Sequence, residues 1–196
     1  DLYYVWNYWI YWKLTGTWIL VDGLQQLEYR GYDSAGIAVN NGSETKIVKT
    51  TGKVATLREK VEAAADLAGT CGIGHTRWAT HGGVTEVNAH PHVSGNVTLI
   101  HNGIIENYKE LAASLKAKGF TAISETDTEV AAMLIDSLYD GDPFAALKEA
   151  DQMLEGAYGF CVMFKDHPGK IYCMRNASPL VASHTCLLYT SPSPRD

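Results

Sequence analysis

The sequence lacks the features that would assign the protein to several large functional classes. Basic residues are in the minority, with 16 Lys and Arg against 22 Asp and Glu, and the net charge of −6 argues against nucleic-acid binding. The four cysteines contain no CxxC spacing, which fits a reducing, cytoplasmic compartment better than a secreted disulfide scaffold. Apolar residues make up 46% of the chain, so disorder is excluded and a core can form.

A long uninterrupted apolar run is also missing. The most apolar stretch, residues 1–18, begins with Asp1 and is interrupted by Asn7 and Lys13, unlike a signal peptide or a membrane-spanning helix. We therefore expect no membrane association. This stretch nevertheless holds four of the five tryptophans, and an aromatic β-strand of poor alternation is one interpretation.

From Ile19 onward the patterns change repeatedly between helix and strand, without an internal repeat. They predict helices over 20–31, 54–67, 108–119, 127–139 and 143–154. They predict strands over 34–40, 44–50, 71–76, 120–124, 157–164 and 170–175, and a strand within 96–103 that ends in an Asn102-Gly103 turn. Residues 77–94 form a long predicted loop. This mixture of helices and hairpins predicts an α+β fold with mostly antiparallel sheet.

Histidines are concentrated in one part of the chain. Five of the seven lie there: His75, His81, His90, His92 and His101. A metal site is one explanation, but no HExxH helix is present and the intervening chain reads as loop. Histidines that form hydrogen bonds or lie on the surface explain the cluster better.

A second group of residues carries the donors and charges that an amino-acid ligand needs. Arg77 offers a guanidinium fork for a carboxylate, or a structural ion pair beside a core Trp78. Asp127 offers a carboxylate for an ammonium group, or an acid that stabilises a helix start. Asn102 and Gly103 offer a two-donor oxyanion hole, or an ordinary turn. Together they fit an α-amino acid whose side-chain carbonyl is attacked.

Long strings in a fixed order sharpen this interpretation. They are LEYRGYDSAG, HTRWATHG, NAHPH, HNGIIENY and SETDTEV. These strings resemble the glutaminase (class II glutamine amidotransferase) domain of the glutamine–fructose-6-phosphate aminotransferases, over about residues 19–181. The resemblance implies an N-terminal-nucleophile hydrolase fold, a four-layer αββα sandwich truncated at its C-terminus. It implies hydrolysis of L-glutamine to glutamate, with ammonia passed to fructose-6-phosphate.

The same resemblance implies partners and site residues. No metal or organic cofactor is needed, fructose-6-phosphate would bind isomerase domains absent from this chain, and the full-length protein would be a homo-oligomer. The residues implied in glutamine binding are Arg77, Trp78, Thr80, His81, Gly82 and Asp127. Arg77 would hold the carboxylate, Asp127 the amino group, and Trp78 would help to gate ammonia. The residues implied in catalysis are Asn102 and Gly103 as the oxyanion hole and Arg30 near the nucleophile.

The nucleophile itself is missing from the sequence. In the family it is a cysteine at the mature N-terminus, in a Cys-Gly-Ile-(Val/Ile)-Gly-Tyr-Ile-Gly string, and its own α-amino group is the base. Here that place reads VWNYWIYW, and none of Cys71, Cys161, Cys173 and Cys186 is N-terminal. We therefore expect this chain to have no glutaminase activity. A non-catalytic glutamine-binding module is the alternative function.

The aromatic segment has an explanation in the genetic code. Residues 4–12, back-translated and read one base later, give Met-Cys-Gly-Ile-Ile-Gly-Tyr-Ile-Gly, because each TGG before an A-initial codon becomes GGA. We therefore interpret residues 1–18 as aberrant and about 4–18 as frame-shifted, which the nucleotide sequence across this region tests. Residues 19–181 form the partial amidotransferase domain. Residues 182–196, with their SPSP string, form a predicted unstructured tail outside the family pattern.

Overall fold

The computed structural model describes residues 7–11, 16–30, 32–64, 66–79 and 82–180. The strands are β1 Asn7–Tyr11, β2 Ser34–Asn40, β3 Thr45–Thr51, β4 Cys71–Arg77, β5 His92–Ser94, β6 Val97–Ile105, β7 Gly156–Phe164 and β8 Tyr172–Asn176. The helices are α1 Gly16–Leu27, α2 Val54–Ala63, α3 Tyr108–Ala117, α4 Asp127–Leu138 and α5 Pro143–Met153. A short 3-10 helix, Glu28–Arg30, extends α1. Within these ranges, none of the helices has the length and apolar character that crossing a bilayer requires.

The strands of the described residues form two antiparallel sheets. Sheet A has the order β1-β4-β2-β3 and sheet B has the order β5-β6-β7-β8. In sheet A, β4 is central and pairs with β1 on one side and with β2 on the other. In sheet B, β6 pairs with β7 along its whole length, from Val97↔Phe164 to Ile105↔Gly156.

Three apolar clusters stack the sheets and helices into four layers. One cluster packs α1 and α2 on sheet A, through residues such as Leu24, Leu57 and Ile37. A second packs α3, α4 and α5 on sheet B. The third lies between the sheets and joins Ile73 of sheet A to Ile100 of sheet B. The order is therefore helices, sheet, sheet, helices, and the predicted αββα sandwich is confirmed.

Helix α4 begins where the capping pattern predicts. Thr126 is the N-cap, and its Oγ1 accepts a hydrogen bond from the Glu129 backbone N–H at 3.2 Å. The Glu129 carboxylate does not complete a reciprocal capping box, because it accepts from the backbone N–H groups of Ile123 and Ser124. The predicted strand over 120–124 is therefore wrong. Two of its backbone donors are satisfied by a side chain and not by a neighbouring strand.

The other differences lie at element ends. The predicted Asn102-Gly103 turn is wrong, because β6 continues through both residues and keeps its pairing with β7. The end of the predicted 77–94 loop is strand β5, which pairs back on β6. Helix α2 ends at Ala63, because Ala64 has extended backbone angles. Gly31, residues 1–6 and 12–15, and the whole segment 182–196 lie outside the described residues, so their assignments stay predictions.

Gly103 is the position in β6 where a side chain is least tolerable. Its φ is +128°, and an added Cβ would lie 1.9 Å from the Ala157 carbonyl oxygen. We expect Gly103→Ala to lower the free energy of unfolding by about 3 kcal/mol or more, from overpacking plus backbone strain. Urea denaturation of the purified chain measures this loss.

Gly119→Ala is the matched control for this prediction. Gly119 also has a positive φ, +94°, but nothing lies within 4 Å of its added Cβ. Gly119→Ala should therefore lower the free energy of unfolding only through backbone strain, by about 1 kcal/mol. Equal urea midpoints for the two variants would show that the close approach to Ala157 does not limit this position.

Candidate functional site

Arg77 ends β4 inside a set of carboxylates. Only 4% of its surface is exposed, and Nη1 lies 3.8 Å from Oδ1 of Asp33 and donates to the Gly83 carbonyl at 3.3 Å. Burial lowers the pKa of the guanidinium, and attraction to Asp33, Asp127 and Glu125 opposes that shift. The structural ion pair offered as an alternative is therefore present. A guanidinium carries five N–H donors, so an ion pair with Asp33 is compatible with a role in holding a ligand carboxylate.

Asp127 is the first residue of α4 and is 5% exposed. Its Oδ2 accepts the backbone N–H of Ile105 at 3.0 Å, which ties the helix start to the end of β6. The same oxygen lies 4.0 Å from Nδ1 of His101. The carboxylate is thus held by backbone at a helix N-terminus, and its charge also attracts the Arg77 guanidinium. A cation and an anion are fixed near one another, as recognition of a zwitterion requires.

Asn102 is oriented by a histidine on the opposing sheet. Its Oδ1 lies 2.9 Å from Nε2 of His75. An amide oxygen only accepts, so in this orientation the His75 ring carries its proton on Nε2. Burial lowers the pKa of His75 to about 3, so the ring is neutral at ordinary pH. The amide nitrogen of Asn102, the donor that an oxyanion hole uses, is on the side of the group away from the ring.

His75 belongs to a buried histidine cluster, which we define as His75, His90, His92 and His101. All four side chains are at most 5% exposed. The rings of His75 and His90 stack with centroids 4.2 Å apart, and His92 meets His90 edge-on at 5.0 Å. Burial lowers the pKa of His92 to about 3 and that of His90 well below its ordinary value.

Hydroxyl groups of the α4 start complete this cluster. His92 Nε2 lies 3.1 Å from Thr126 Oγ1, and His101 Nδ1 lies 3.0 Å from Thr128 Oγ1. The histidines are therefore hydrogen-bonding groups of the interior, as the sequence interpretation favoured. Over the residues that the structure describes, no three His, Cys, Asp or Glu side chains form a group that could hold a metal ion.

The loop after β4 is held to the start of α4 by a pair of polar side chains. Asn88 donates from Nδ2 to the Gly83 carbonyl at 2.9 Å and to Glu125 Oε2 at 3.0 Å. Glu125 Oε2 also accepts the Gly83 N–H at 3.0 Å. Gly82, predicted to line the site, has φ +78°, and an added Cβ would lie 2.8 Å from Asn88 Nδ2. Gly82 therefore has a packing reason to be glycine.

Of the other predicted site residues, the structure describes the side chain of Trp78 but not those of Arg30, Thr80 and His81. Trp78 is 49% exposed, so the interpretation as a core tryptophan is wrong. Thr80 and His81 lie outside the described residues, and for Arg30 only the backbone is described. Their predicted roles stay predictions.

Strand β1 enters the sheet at this site. Its first described residue, Asn7, is paired with His75 in an antiparallel register that runs to Tyr11↔Cys71. The chain therefore comes into β1 at the end of β4 that bears Arg77. In the shifted reading frame that the sequence analysis predicts, a cysteine would stand in place of Val5, two residues before Asn7 in the sequence.

Three residues of this arrangement, Asp33, His75 and Glu125, are not among the predicted site residues. Asp33 and Glu125 lie within the quoted strings, but their pairing with Arg77 and Asn88 joins positions more than 35 residues apart. The spacing of His75 could have identified it as a site residue. Residues at i and i+2 of a strand share a face, and His75 lies two residues before Arg77 in β4. That spacing places both side chains on one side of β4.

The sequence of the chain is similar to those of known proteins. Residues 75–191 match the family model described as a glutamine amidotransferase domain. The chain is 53% identical over 165 residues to glutamine–fructose-6-phosphate aminotransferase (isomerizing) of Thermus thermophilus, covering 83% of this chain. It is 52% identical over 173 residues to the Idiomarina loihiensis protein of the same name, covering 86% of this chain. The chain spans 27% and 28% of the lengths of these two relatives.

Solved structures give the same fold. Glutamine phosphoribosylpyrophosphate amidotransferase from B. subtilis superposes with a TM-score of 0.69 at 29% identity, covering 81% of this chain and 35% of that one. A structure described as the allosteric regulatory enzyme of purine biosynthesis has a TM-score of 0.71 at 30% identity, covering 82% and 36%. A class-II glutamine aminotransferase domain protein from Silicibacter pomeroyi has a TM-score of 0.52 at 18% identity, covering 76% and 72%.

Proposed function

The chain belongs to the glutamine amidotransferase domain family, and from this premise we propose that it is the glutamine-hydrolysing half of a glutamine–fructose-6-phosphate aminotransferase. Its substrate is L-glutamine, and the ammonia it would release serves fructose-6-phosphate at domains outside this chain. The proposal includes a cytoplasmic location and self-association of the full-length protein. The relatives of that name at about 50% identity support the choice among amidotransferases.

One observation carries the proposal: β1 starts beside the donors that an acyl-transfer site needs. Asn7 is paired with His75, and His75 contacts Asn102 at 2.9 Å. A nucleophile just before β1 would therefore lie close to Asn102, and Asn102 and Gly103 would donate to the oxyanion formed by its attack. Hydrolysis needs the nucleophile at the carbon of the substrate amide and the two donors at its oxygen.

Binding and orientation of glutamine fall to the charged residues. Arg77 would hold the α-carboxylate and Asp127 the α-ammonium group, which leaves the side-chain amide to reach Asn102. His75 would act as a positioning residue, because its Nε2 proton occupies the amide oxygen of Asn102 and turns the amide nitrogen towards the substrate. Such preorganised donors stabilise the charge that develops on the amide oxygen.

A glutamine-binding module without catalysis is the second candidate. It uses the same pocket and differs by the missing thiol, and VWNYWIYW in place of the nucleophile string favours it for the chain as written. Both candidates predict glutamine binding. Only the enzyme predicts hydrolysis once an N-terminal cysteine is supplied.

Calorimetric titration with L-glutamine tests the binding site that both candidates share. We expect saturable binding of L-glutamine and none of D-glutamine. Arg77→Lys keeps the charge but loses the planar fork, so it should weaken binding about 10- to 100-fold. Asp127→Asn keeps an oxygen that can accept the Ile105 N–H but removes the charge, so it should weaken binding comparably.

Arg58→Lys is the matched control. Arg58 forms a surface ion pair with Asp22, between α2 and α1, and it should leave the glutamine affinity unchanged. Circular dichroism on each variant separates lost binding from lost folding. Equal affinities for the original chain, Arg77→Lys and Asp127→Asn would reject the assigned binding residues.

A further inference from the structure

Two cysteines face each other across neighbouring strands of sheet B. Cys161 of β7 and Cys173 of β8 are direct partners in the antiparallel register, and their Sγ atoms lie 3.8 Å apart. Directly opposed residues in antiparallel sheet have Cα atoms about 4.5–5.5 Å apart. A disulfide needs about 4.4–6.8 Å, so the bond fits this ladder without moving either strand.

The two thiols differ in access. Cys161 has no exposed surface and packs in the cluster between the sheets, beside Ile100 and Met163. Cys173 is exposed. The hydrogen bond between them lowers the pKa of Cys173, while that bond and burial raise the pKa of Cys161 well above its ordinary value. The Cys173 thiol is therefore accessible and more acidic. The buried Cys161 thiol is placed to act as the resolving group.

We propose that Cys161 and Cys173 form a dithiol–disulfide site that low-molecular-weight disulfides of the glutathione type oxidise. The Cys173 thiolate attacks one sulfur of the small disulfide, forms a mixed disulfide and releases one thiol. The Cys161 thiol then attacks Cys173 Sγ and displaces the second small thiol, which leaves with the proton that Cys161 gives up. The pair loses two electrons and two protons, and the small disulfide gains them as two thiols.

The bond would join β8 covalently to β7, whose other neighbour is β6 with Asn102 and Gly103. The proposal does not rest on the glutamine site, because Cys161 and Cys173 belong to β7 and β8, whereas Arg77, Asn102 and Asp127 belong to β4, β6 and α4. In a reducing compartment the pair rests as thiols, and a rise in disulfide concentration closes it.

The test uses the full chain, reduced, freed of reductant and equilibrated with mixtures of reduced and oxidised glutathione. Acid quenching, alkylation, digestion and mass spectrometry then locate each cysteine. We expect a peptide linked through Cys161 and Cys173, with simultaneous loss of both alkylation sites. The linked form should exceed the Cys173–glutathione mixed disulfide by about tenfold or more, because the second step is intramolecular.

Single variants separate the two steps. Cys161→Ser should trap Cys173 as the glutathione mixed disulfide, and Cys173→Ser should leave Cys161 reduced. Cys186→Ser should leave the link intact, and Cys71 should stay reduced throughout, because burial raises its pKa to about 11. A mixed disulfide on Cys173 with Cys161 still free in the original chain, or a link from Cys173 to Cys186, would overturn the proposal.

Discussion

A chain that starts with Cys-Gly-Ile-Ile-Gly-Tyr-Ile-Gly in place of its first twelve residues should hydrolyse glutamine, and the chain as it stands should not. The replacement removes residues 1–4 and exchanges residues 5–12, leaving α1 from Gly16 unchanged. It supplies a thiol and a free α-amine two residues before the position of Asn7, the β1 residue that pairs with His75. Release of glutamate should rise on the order of 10⁶-fold above the uncatalysed rate, measured by a coupled glutamate assay.

The physical reason is that the described residues of the proposed mechanism are already held in place. Asn102 is fixed by His75, and Arg77 and Asp127 are buried with opposite charges. The segment VWNYWIYW, residues 5–12, lacks a nucleophile and the base that would activate it. A thiol at the N-terminus supplies both, because the neighbouring α-amine takes the proton that the thiol loses.

Two controls make this result specific. The same replacement beginning with Ala should be inactive. Asn102→Ala in the restored chain should lower kcat by about 10²- to 10³-fold, the usual effect of removing one oxyanion donor. Hydrolysis by the chain as it stands, or by the version beginning with Ala, would refute the requirement for an N-terminal cysteine.

Acidification from pH 7 to 5 should destabilise the fold strongly, through the buried histidine cluster. Burial lowers the pKa of His75 and of His92 to about 3, and that of His90 well below its ordinary value. In the unfolded chain each titrates near 6.5, so the unfolded state binds more protons throughout this interval. Stability therefore falls as the pH falls, by roughly 2 kcal/mol for each of His75 and His92, and protonation of His90 in the unfolded chain adds to this loss.

The charged groups considered next do not account for a loss of stability between pH 7 and 5. Hydrogen bonds from Gly83 and Asn88 lower the pKa of Glu125 from 4.5, so its contribution is lost only at more acidic pH. Burial lowers the pKa of Lys49 to about 8, so it is protonated in both states between pH 5 and 7. Arg77 stays charged throughout.

Urea denaturation at pH 7.0, 6.0 and 5.0 measures the effect. His92→Gln keeps an amide group for Thr126 but cannot take up a proton, so it should reduce the pH-dependent loss by about a third. His167→Gln, on the turn between β7 and β8, is the control and should leave the loss unchanged. Identical losses in the original chain and in His92→Gln would show that the cluster does not set the pH dependence.

Local patterns predicted well those elements that local chemistry decides. Helix α4 begins at Asp127 because Thr126 caps it, and α5 begins at Pro143 because Asp142 accepts from Phe144 and Ala145. The strand at 120–124 was predicted from its apolar side chains and does not form. Its backbone donors bond to Glu129, a contact that strand propensity does not encode.

The sequence by itself pointed to the residues of the proposed site: an arginine, an aspartate and an Asn-Gly pair. Only the tertiary structure decided that Asn102 and Gly103 lie within a strand, because β7 pairs with β6 as far as Ile105. It also decided that His75 orients Asn102, since that contact crosses from one sheet to the other. Spacing along the chain reports side chains on one element, whereas contacts between distant elements depend on how the layers pack.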